Sequence, residues 1–209
     1  MPPKLHNTLS YSVAGLVFLA FVPWDNHAAW LIAALWVFHF ARRSWEAQVV
    51  HRYSGRTIPA SDYLVEYVYY WGFAFWIAWS LRNPNWTLPS HLVTLAAAII
   101  FASGELGNTW AHLKLRALRS SSGETQRSIP RGGLFDWVSC PHYLFEITTW
   151  CGFLLLTQVL ASCLFLALGA AIVSSYAWSR HQRYRAEFDG NEGRELYPPA
   201  RKAIIPLLF

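Results

Sequence analysis

Six apolar segments constrain the fold of this chain more than any other feature. They fall at about residues 9–22, 28–40, 63–81, 91–106, 143–158 and 160–178. Several lie near the lower limit of the ~17–25 residues that a helix needs to cross a bilayer. Hydrophobic residues make up 54% of the 209 residues and charged residues 14%, whereas soluble domains carry about 25% charged residues. Because helices satisfy their own backbone hydrogen bonds in lipid, this composition predicts an all-α, polytopic membrane helix bundle with about six transmembrane helices.

The basic residues predict the orientation of this bundle. Sixteen of the seventeen lysines and arginines lie before the first segment or after the second, fourth and sixth segments, and only Arg82 lies elsewhere. Cytosolic loops of membrane proteins are enriched in Lys and Arg. Six spans with both termini in the cytosol would place these sixteen charges on one side. We therefore expect one membrane-embedded domain over residues 1–209, with the apolar tail at 203–209 packed back onto it.

The cysteines indicate neither a metal site nor a disulfide framework. The chain has three of them, Cys140, Cys151 and Cys163, without CxxC or Cys/His ligand spacing. An odd number of cysteines without ligand spacing is typical of cysteines that pack as small buried hydrophobic residues. We predict no metal ion and no nucleic-acid partner.

The first polar cluster continues the fourth apolar segment. Asn108, His112, Arg116 and Arg119 are spaced four, four and three apart, which places them within about 80° on one helix face. Arg can donate two parallel hydrogen bonds to a phosphate, and Asn and His can bind polar ring edges. The stripe suits a phosphate-bearing ligand. The alternative is a solvated face that meets anionic lipid.

The second cluster opens the fifth apolar segment. Pro141 is expected in the first turn of that helix, where its missing N–H costs little. His142, Glu146 and Trp150 then stack at four-residue intervals, with Tyr143 beside them. An ionisable Glu inside a membrane helix needs a partner or a polar cavity, so it marks a candidate site. The alternative is a capping and packing cluster.

The third cluster follows the sixth segment. It contains Arg180, His181, Arg183, Tyr184 and Arg185, and the pair Arg201-Lys202 comes later. The alternative here is a cytosolic basic anchor. If the three clusters converge, they form a cytosol-facing pocket with positive walls and an apolar floor. Such a pocket suits a phosphorylated dinucleotide beside an acyl or sterol substrate, or an anionic lipid.

Several motifs carry a resemblance to a known family. They are residues 106–108 with His112, Arg116 and Arg119; RGGLFDWVSCPHY at residues 131–143 with Glu146 and residues 150–153; and RKAIIP at residues 201–206. As a set, over residues 36–209, they resemble the C-terminal core of the steroid 5-alpha-reductase family. Within it, HRYS at 51–54, YYWGF at 69–73 and Ser-Cys-Pro-x-Tyr at 139–143 favour the very-long-chain trans-2-enoyl-CoA reductases.

The resemblance implies a multi-pass membrane oxidoreductase that uses NADPH, in the endoplasmic reticulum if the source is a eukaryote. A hydride would pass to the β-carbon of an α,β-unsaturated carbonyl compound and a proton to the α-carbon. Tyr143 is implied as the acid, with Glu146 in the same catalytic site. The implied cofactor-binding residues are Asn108, His112, Arg116, Arg119, His142, Arg180, Tyr184, Arg201 and Lys202. The implied partners are a lipid-like substrate, membrane lipid and proteins of a lipid-elongation complex.

The chain departs from the family pattern in three places. His142 stands where the family usually has Asn, and Phe40 follows His39 where steroid reductases have Tyr. The family's catalytic glutamate lies in an early spanning helix, but residues 7–16 of this chain contain no acid. These departures weigh more against a steroid substrate than against an enoyl-CoA, because Tyr143 is retained. Two alternatives stay open: a reductase of a steroid or polyprenol double bond, and a catalytically silent membrane protein that binds anionic lipid or a partner.

Overall fold

In a computed structural model, the described residues are 1–51, 53, 57, 59–118, 128–191 and 193–209. These residues form six α-helices: α1 (Pro3–Phe21), α2 (His27–Trp45), α3 (Ala60–Ser80), α4 (His91–Leu118), α5 (Pro141–Thr157) and α6 (Leu160–Glu187). A π-helical turn (Glu46–Val50) follows α2, and a 3-10 turn (Gly133–Asp136) precedes α5. Each helix matches one apolar segment. The prediction of an all-α fold is confirmed over the described residues.

Local sequence signals explain where several helices begin and end. Pro141 forms the first residue of α5, as predicted, and Pro59 directly precedes α3. Asn26 caps α2, because its side-chain oxygen accepts a hydrogen bond from the Ala28 amide at 3.0 Å. Such a cap satisfies one of the amides that a helix start leaves without an intrahelical partner.

Two of the helices, α4 and α6, are long and apolar enough to cross a membrane. Each has 28 residues, which corresponds to roughly 42 Å at 1.5 Å per residue. Along α6, a row of exposed apolar side chains recurs every four residues at Leu160, Leu164, Leu168 and Ile172. A continuous apolar stripe of this kind is unfavourable in water and indicates contact with lipid.

The chain divides into two compact units. The first contains residues 1–99 and 151–166, in which α1 packs against both α2 and α3. The fully buried Trp36 is central to it, since its ring stacks on Phe18 at 4.9 Å and its Nε1 donates to the Ala14 carbonyl at 3.1 Å. In the same unit, the buried Glu46 carboxylate pairs with Arg42 and Arg43.

The second unit contains residues 100–150 and 167–209. Two glycines let α4 approach α5 closely. A Cβ at Gly104 would collide with the Thr149 backbone, and a Cβ at Gly107 would collide with the Phe145 ring. This close approach brings the polar residues of the two helices within hydrogen-bonding distance.

The C-terminal tail pairs with the segment before α5. The amide of Ser139 donates to the Lys202 carbonyl at 2.8 Å, and the amide of Cys140 donates to the Ala203 carbonyl at 3.0 Å. The side chains of Ala203 and Ile204 are buried against Cys140 and Ala177. The predicted packing of the tail is therefore confirmed for its first residues, whereas Leu207 and Leu208 are exposed.

Candidate cofactor site and active site

The polar pair at the contact between α4 and α5 involves Asn108 and Glu146. Asn108, which is only 1% exposed, donates from its side-chain nitrogen to the His142 carbonyl at 2.8 Å and to Glu146 Oε2 at 3.2 Å. The other oxygen of Glu146 accepts a hydrogen bond from Trp150 Nε1 at 2.9 Å. Both carboxylate oxygens are thus held in place by neighbouring side chains.

The aromatic rings of His142 and Tyr143, at the start of α5, lie close to each other and to a ring of α4. The His142 ring lies 5.6 Å from the His112 ring and 4.2 Å from the Tyr143 ring, measured between centroids. The Arg180 guanidinium of α6 lies 6.0 Å from the Tyr143 ring centroid. A cation at this distance is attracted to the ring face.

Two tyrosines connect Arg180 to the C-terminal tail. Arg180 interacts electrostatically with Tyr184 as well as with Tyr143. The Tyr184 ring stacks on the Tyr197 ring at 5.4 Å with an angle of 3° between the planes. The Arg201 guanidinium in turn lies 5.0 Å from the Tyr197 centroid. The sequence clusters of α4, α5, α6 and the tail therefore contact one another in series.

Arg201 is a buried cation in this series. It is 3% exposed, and its Nη1 donates to the Pro130 carbonyl at 3.0 Å. Among the described residues, its Nε has no hydrogen-bond partner and its guanidinium forms no ion pair. Arg185 and Lys202 add positive charge close by, since both act together with Arg201 on His181. A buried charge is costly unless an opposite charge compensates it, so this cluster fits an anionic ligand such as a phosphate.

Two predicted cofactor-binding residues of the first cluster remain, Arg116 and Arg119. Arg116 lies in the last turn of α4, partly buried, and makes no hydrogen bond or ion pair within the described part of the chain. Arg119 lies outside the described residues. Apart from the predicted residues, the Glu66 carboxylate of α3, in the first unit, accepts a hydrogen bond from Nε2 of the buried His6 at 2.9 Å.

Two site residues were missed by sequence reasoning. Tyr197 carries no helical or strand periodicity, and its one sequence signal is its position four residues before the basic pair 201–202. Ser139 belongs to the Ser-Cys-Pro-x-Tyr motif at 139–143, but the sequence assigned it no role of its own. Its Oγ lies 2.6 Å from His181 Nδ1 and 2.7 Å from Tyr197 Oη.

Cys140 lies beside these residues but is not suited to nucleophilic chemistry. Its side chain is fully buried, and burial raises the pKa of its thiol to about 12 despite the opposing charge of Arg180. The thiolate is the reactive form of cysteine, so Cys140 is an inert packing residue here.

The fold and the site together define a helical membrane protein with a tyrosine-rich, cationic cluster. The sequence profile of the family described as 3-oxo-5-alpha-steroid 4-dehydrogenase matches residues 65–209. The chain is 40% identical to the very-long-chain enoyl-CoA reductase of Dictyostelium discoideum, over 82% of this chain and 55% of that protein. It is 30% identical to the steroid 5-alpha-reductase DET2 of Solanum lycopersicum, over 93% of this chain and 75% of that protein.

This chain belongs to the 3-oxo-5-alpha-steroid 4-dehydrogenase family, which confirms the resemblance noted from its motifs. The family consists of oxidoreductases that act on CH–CH bonds in lipid metabolism. Oxidoreductases of this type generally use a nicotinamide cofactor. The chain spans about half the length of the enoyl-CoA reductases that it matches.

Proposed function

We propose that this chain is an NADPH-dependent reductase of the α,β double bond of a lipid-like enoyl substrate, with trans-2-enoyl-CoA thioesters of fatty acid elongation as the first candidates. The observation that carries the proposal is the position of Tyr143. Its ring lies 4.2 Å from His142 and 6.0 Å from the Arg180 guanidinium. A tyrosine beside a fixed cation is suited to give up its proton.

The cations on the tail side of Tyr143 support a phosphorylated dinucleotide. Arg201 is buried, and its Nε has no hydrogen-bond partner in the described part of the chain. This guanidinium and the charges of Lys202 and Arg180 would hold the phosphates. We include His112, Arg116, Arg119 and Tyr184 in the same cofactor site. Asn108 and His142 would hold the nicotinamide end, since Asn108 is fixed by two hydrogen bonds.

The chemistry that NADPH supplies when bound is a hydride for the β-carbon of the α,β-unsaturated carbonyl compound. Tyr143 Oη transfers its proton to the α-carbon, so one C–C π bond breaks and two C–H bonds form. The Arg180 charge stabilises the phenolate that remains, and a proton from solvent restores Tyr143. Glu146 keeps its orientation through Asn108 and Trp150 and fixes the start of α5 against α4.

The orientation of the chain in the membrane is part of the proposal. We propose six transmembrane helices with both termini in the cytosol, one reductase domain over residues 1–209, and the endoplasmic reticulum as the membrane in a eukaryote. The asymmetric distribution of Lys and Arg supports this arrangement. The same basic side would receive NADPH from the cytosol and would face partners in lipid elongation.

The decisive experiment is NADPH oxidation by the purified chain with a panel of trans-2-enoyl-CoA, 3-oxo-4-ene steroid and polyprenol substrates. We expect turnover with an enoyl-CoA. Tyr143→Phe should abolish turnover and leave NADPH affinity unchanged, because only the phenolic proton is lost. Tyr176→Phe, a change at an exposed tyrosine, is the matched control and should retain full activity. Retained activity in Tyr143→Phe would remove Tyr143 as the acid.

A steroid or polyprenol double bond is the second candidate substrate. The similarity to DET2 of Solanum lycopersicum favours it, because that match extends over 93% of this chain. Turnover of the steroid without turnover of the enoyl-CoA would select this candidate. Binding of anionic lipid without any saturable NADPH binding would instead indicate a catalytically silent protein.

A further inference from the structure

We propose that Ser139, His181 and Tyr197 form a positioning network that fixes Arg201 and Lys202 for binding of the cofactor phosphates, with Ser139 as its centre. All three side chains are buried, with exposures of 2%, 6% and 3%. They come from the segment before α5, from α6 and from the loop after α6. This inference rests on the proposed function, because it assigns a role in holding the same dinucleotide.

The hydrogen-bond count at Ser139 determines which atoms donate. Ser139 Oγ contacts His181 Nδ1 at 2.6 Å, Tyr197 Oη at 2.7 Å and the Lys202 carbonyl at 3.1 Å. A serine hydroxyl has one proton and two lone pairs. A carbonyl oxygen accepts only, so the Ser139 proton goes to Lys202. The other two contacts are then satisfied only if Tyr197 Oη and His181 Nδ1 both donate to Ser139.

This assignment places a proton on Nδ1 of His181. If the ring is neutral, Nε2 then keeps its lone pair. The network consequently has a direction: Tyr197 and His181 donate to Ser139, and Ser139 donates to the backbone of the tail. Removing any of these groups leaves a buried polar atom without its partner, which costs more than the bond itself contributes.

Two contacts connect the network to the phosphate-binding cations. The Lys202 carbonyl accepts hydrogen bonds from both the side chain and the backbone amide of Ser139. Lys202 is the residue directly after Arg201, so these bonds hold the backbone beside Arg201. The ring of Tyr197, fixed through its hydroxyl, stacks on Tyr184 and lies against the Arg201 guanidinium. Ser139 therefore acts on Arg201 through both the backbone and an aromatic ring, without contacting the ligand itself.

The test is the dissociation constant of NADPH, measured by fluorescence titration of the purified full chain without substrate. Tyr197→Phe removes one hydroxyl and keeps the ring, and we expect it to weaken binding about three- to tenfold. Ser139→Ala should weaken binding at least as much. Ser162→Ala is the matched control, because Ser162 is equally buried and its hydroxyl has no partner in the described part of the chain; its affinity should not change.

Turnover separates a positioning role from a merely structural one. In Tyr197→Phe, KM for NADPH should rise with its dissociation constant while kcat stays within about twofold, since no group at the reacting atoms has changed. His181→Asn, which retains an N–H near the position of Nδ1, should bind NADPH more tightly than His181→Leu.

The inference is overturned if Tyr197→Phe and Ser139→Ala both bind NADPH as the unmodified chain does. It is also overturned if kcat falls with an unchanged KM, or if His181→Asn is no better than His181→Leu. Absence of NADPH binding by the unmodified chain is a different result. That result would overturn the proposed function itself, and this inference with it.

Discussion

The side-chain nitrogen of Asn108, on α4, donates a hydrogen bond to Glu146 Oε2, on α5, at 3.2 Å. The same nitrogen also donates to the His142 carbonyl, so one buried amide connects α4 to both the backbone and a side chain of α5. This relationship joins two sequence clusters that lie almost forty residues apart. It gives Asn108 a structural role in addition to its proposed role at the cofactor.

Replacing Asn108 with Ala should destabilise the protein by about 1–3 kcal/mol, because the His142 carbonyl and Glu146 Oε2 lose a shared donor in a buried site. Thermal unfolding in detergent, followed by circular dichroism, measures the change. Asn85→Ala, at an exposed position in the loop between α3 and α4, provides the control and should unfold like the unmodified chain. Equal melting temperatures for the two variants would contradict this role of Asn108.

Replacing Gly107 with Ala should separate α4 from α5, since the added Cβ would collide with the Phe145 ring. Overpacking of this kind costs about 1–3 kcal/mol. Phe145→Ala creates room for the methyl group. Adding Gly107→Ala to the Phe145→Ala variant should therefore cost little compared with Phe145→Ala alone. Gly72→Ala in α3 is the control, because a Cβ there meets open space. A Gly107→Ala variant as stable as Gly72→Ala would show that the two helices tolerate a wider separation.

Replacing Arg201 with Met should change cofactor affinity and intrinsic stability in different ways. The buried guanidinium has no ion-pair partner among the described residues, so its removal leaves no acid unpaired. Loss of the hydrogen bond to the Pro130 carbonyl destabilises the fold, whereas removal of an uncompensated buried charge stabilises it. Because these two effects oppose each other, we expect the free energy of unfolding without cofactor to change by less than about 1 kcal/mol. The affinity for NADPH should fall by about 1.5–3 kcal/mol, the value of a hydrogen bond to a charged group.

Isothermal titration calorimetry and thermal unfolding test both halves of this expectation. Arg183→Met, at an exposed arginine of α6, is the matched control for loss of one positive charge. If Arg201→Met binds NADPH normally but unfolds early, Arg201 serves the fold and not the cofactor.

The thiol of Cys140 should resist alkylation by a membrane-permeant maleimide near neutral pH, because burial raises its pKa to about 12 and keeps it protonated. A variant that retains only Cys140 should be labelled slowly while folded and quickly after denaturation, as measured by mass spectrometry. A control variant whose only cysteine is introduced by Asn85→Cys, at an exposed position of the loop between α3 and α4, should be labelled in both states. Rapid labelling of Cys140 in the folded chain would mean that the start of α5 opens to solvent.

The helices could be predicted from the sequence because hydrophobicity and proline positions determine them locally. Pro141 marked the start of α5, and each apolar segment corresponds to one helix. Hydrophobicity alone does not give every helix end. It stops at about residue 106, whereas α4 continues to Leu118, as the helical spacing of Asn108, His112 and Arg116 predicts.

The site was predicted in part for the same reason. Residues on a helix face, such as His142 and Glu146, follow from spacing alone. Ser139 and Tyr197 do not, because their contact depends on pairing between residues 137–140 and the tail, more than sixty residues later. No periodicity of the chain encodes such a non-local register.

The charge of Arg201 has a consequence for handling the protein. A ligand that binds only the folded state raises its stability by RT ln(1 + [L]/Kd). Any anion that reaches this buried guanidinium should therefore act as a conformational stabiliser, and heat resistance becomes a direct reporter of occupancy. Inorganic pyrophosphate in the purification buffer would then preserve the fold during extraction from the bilayer, before any substrate is known.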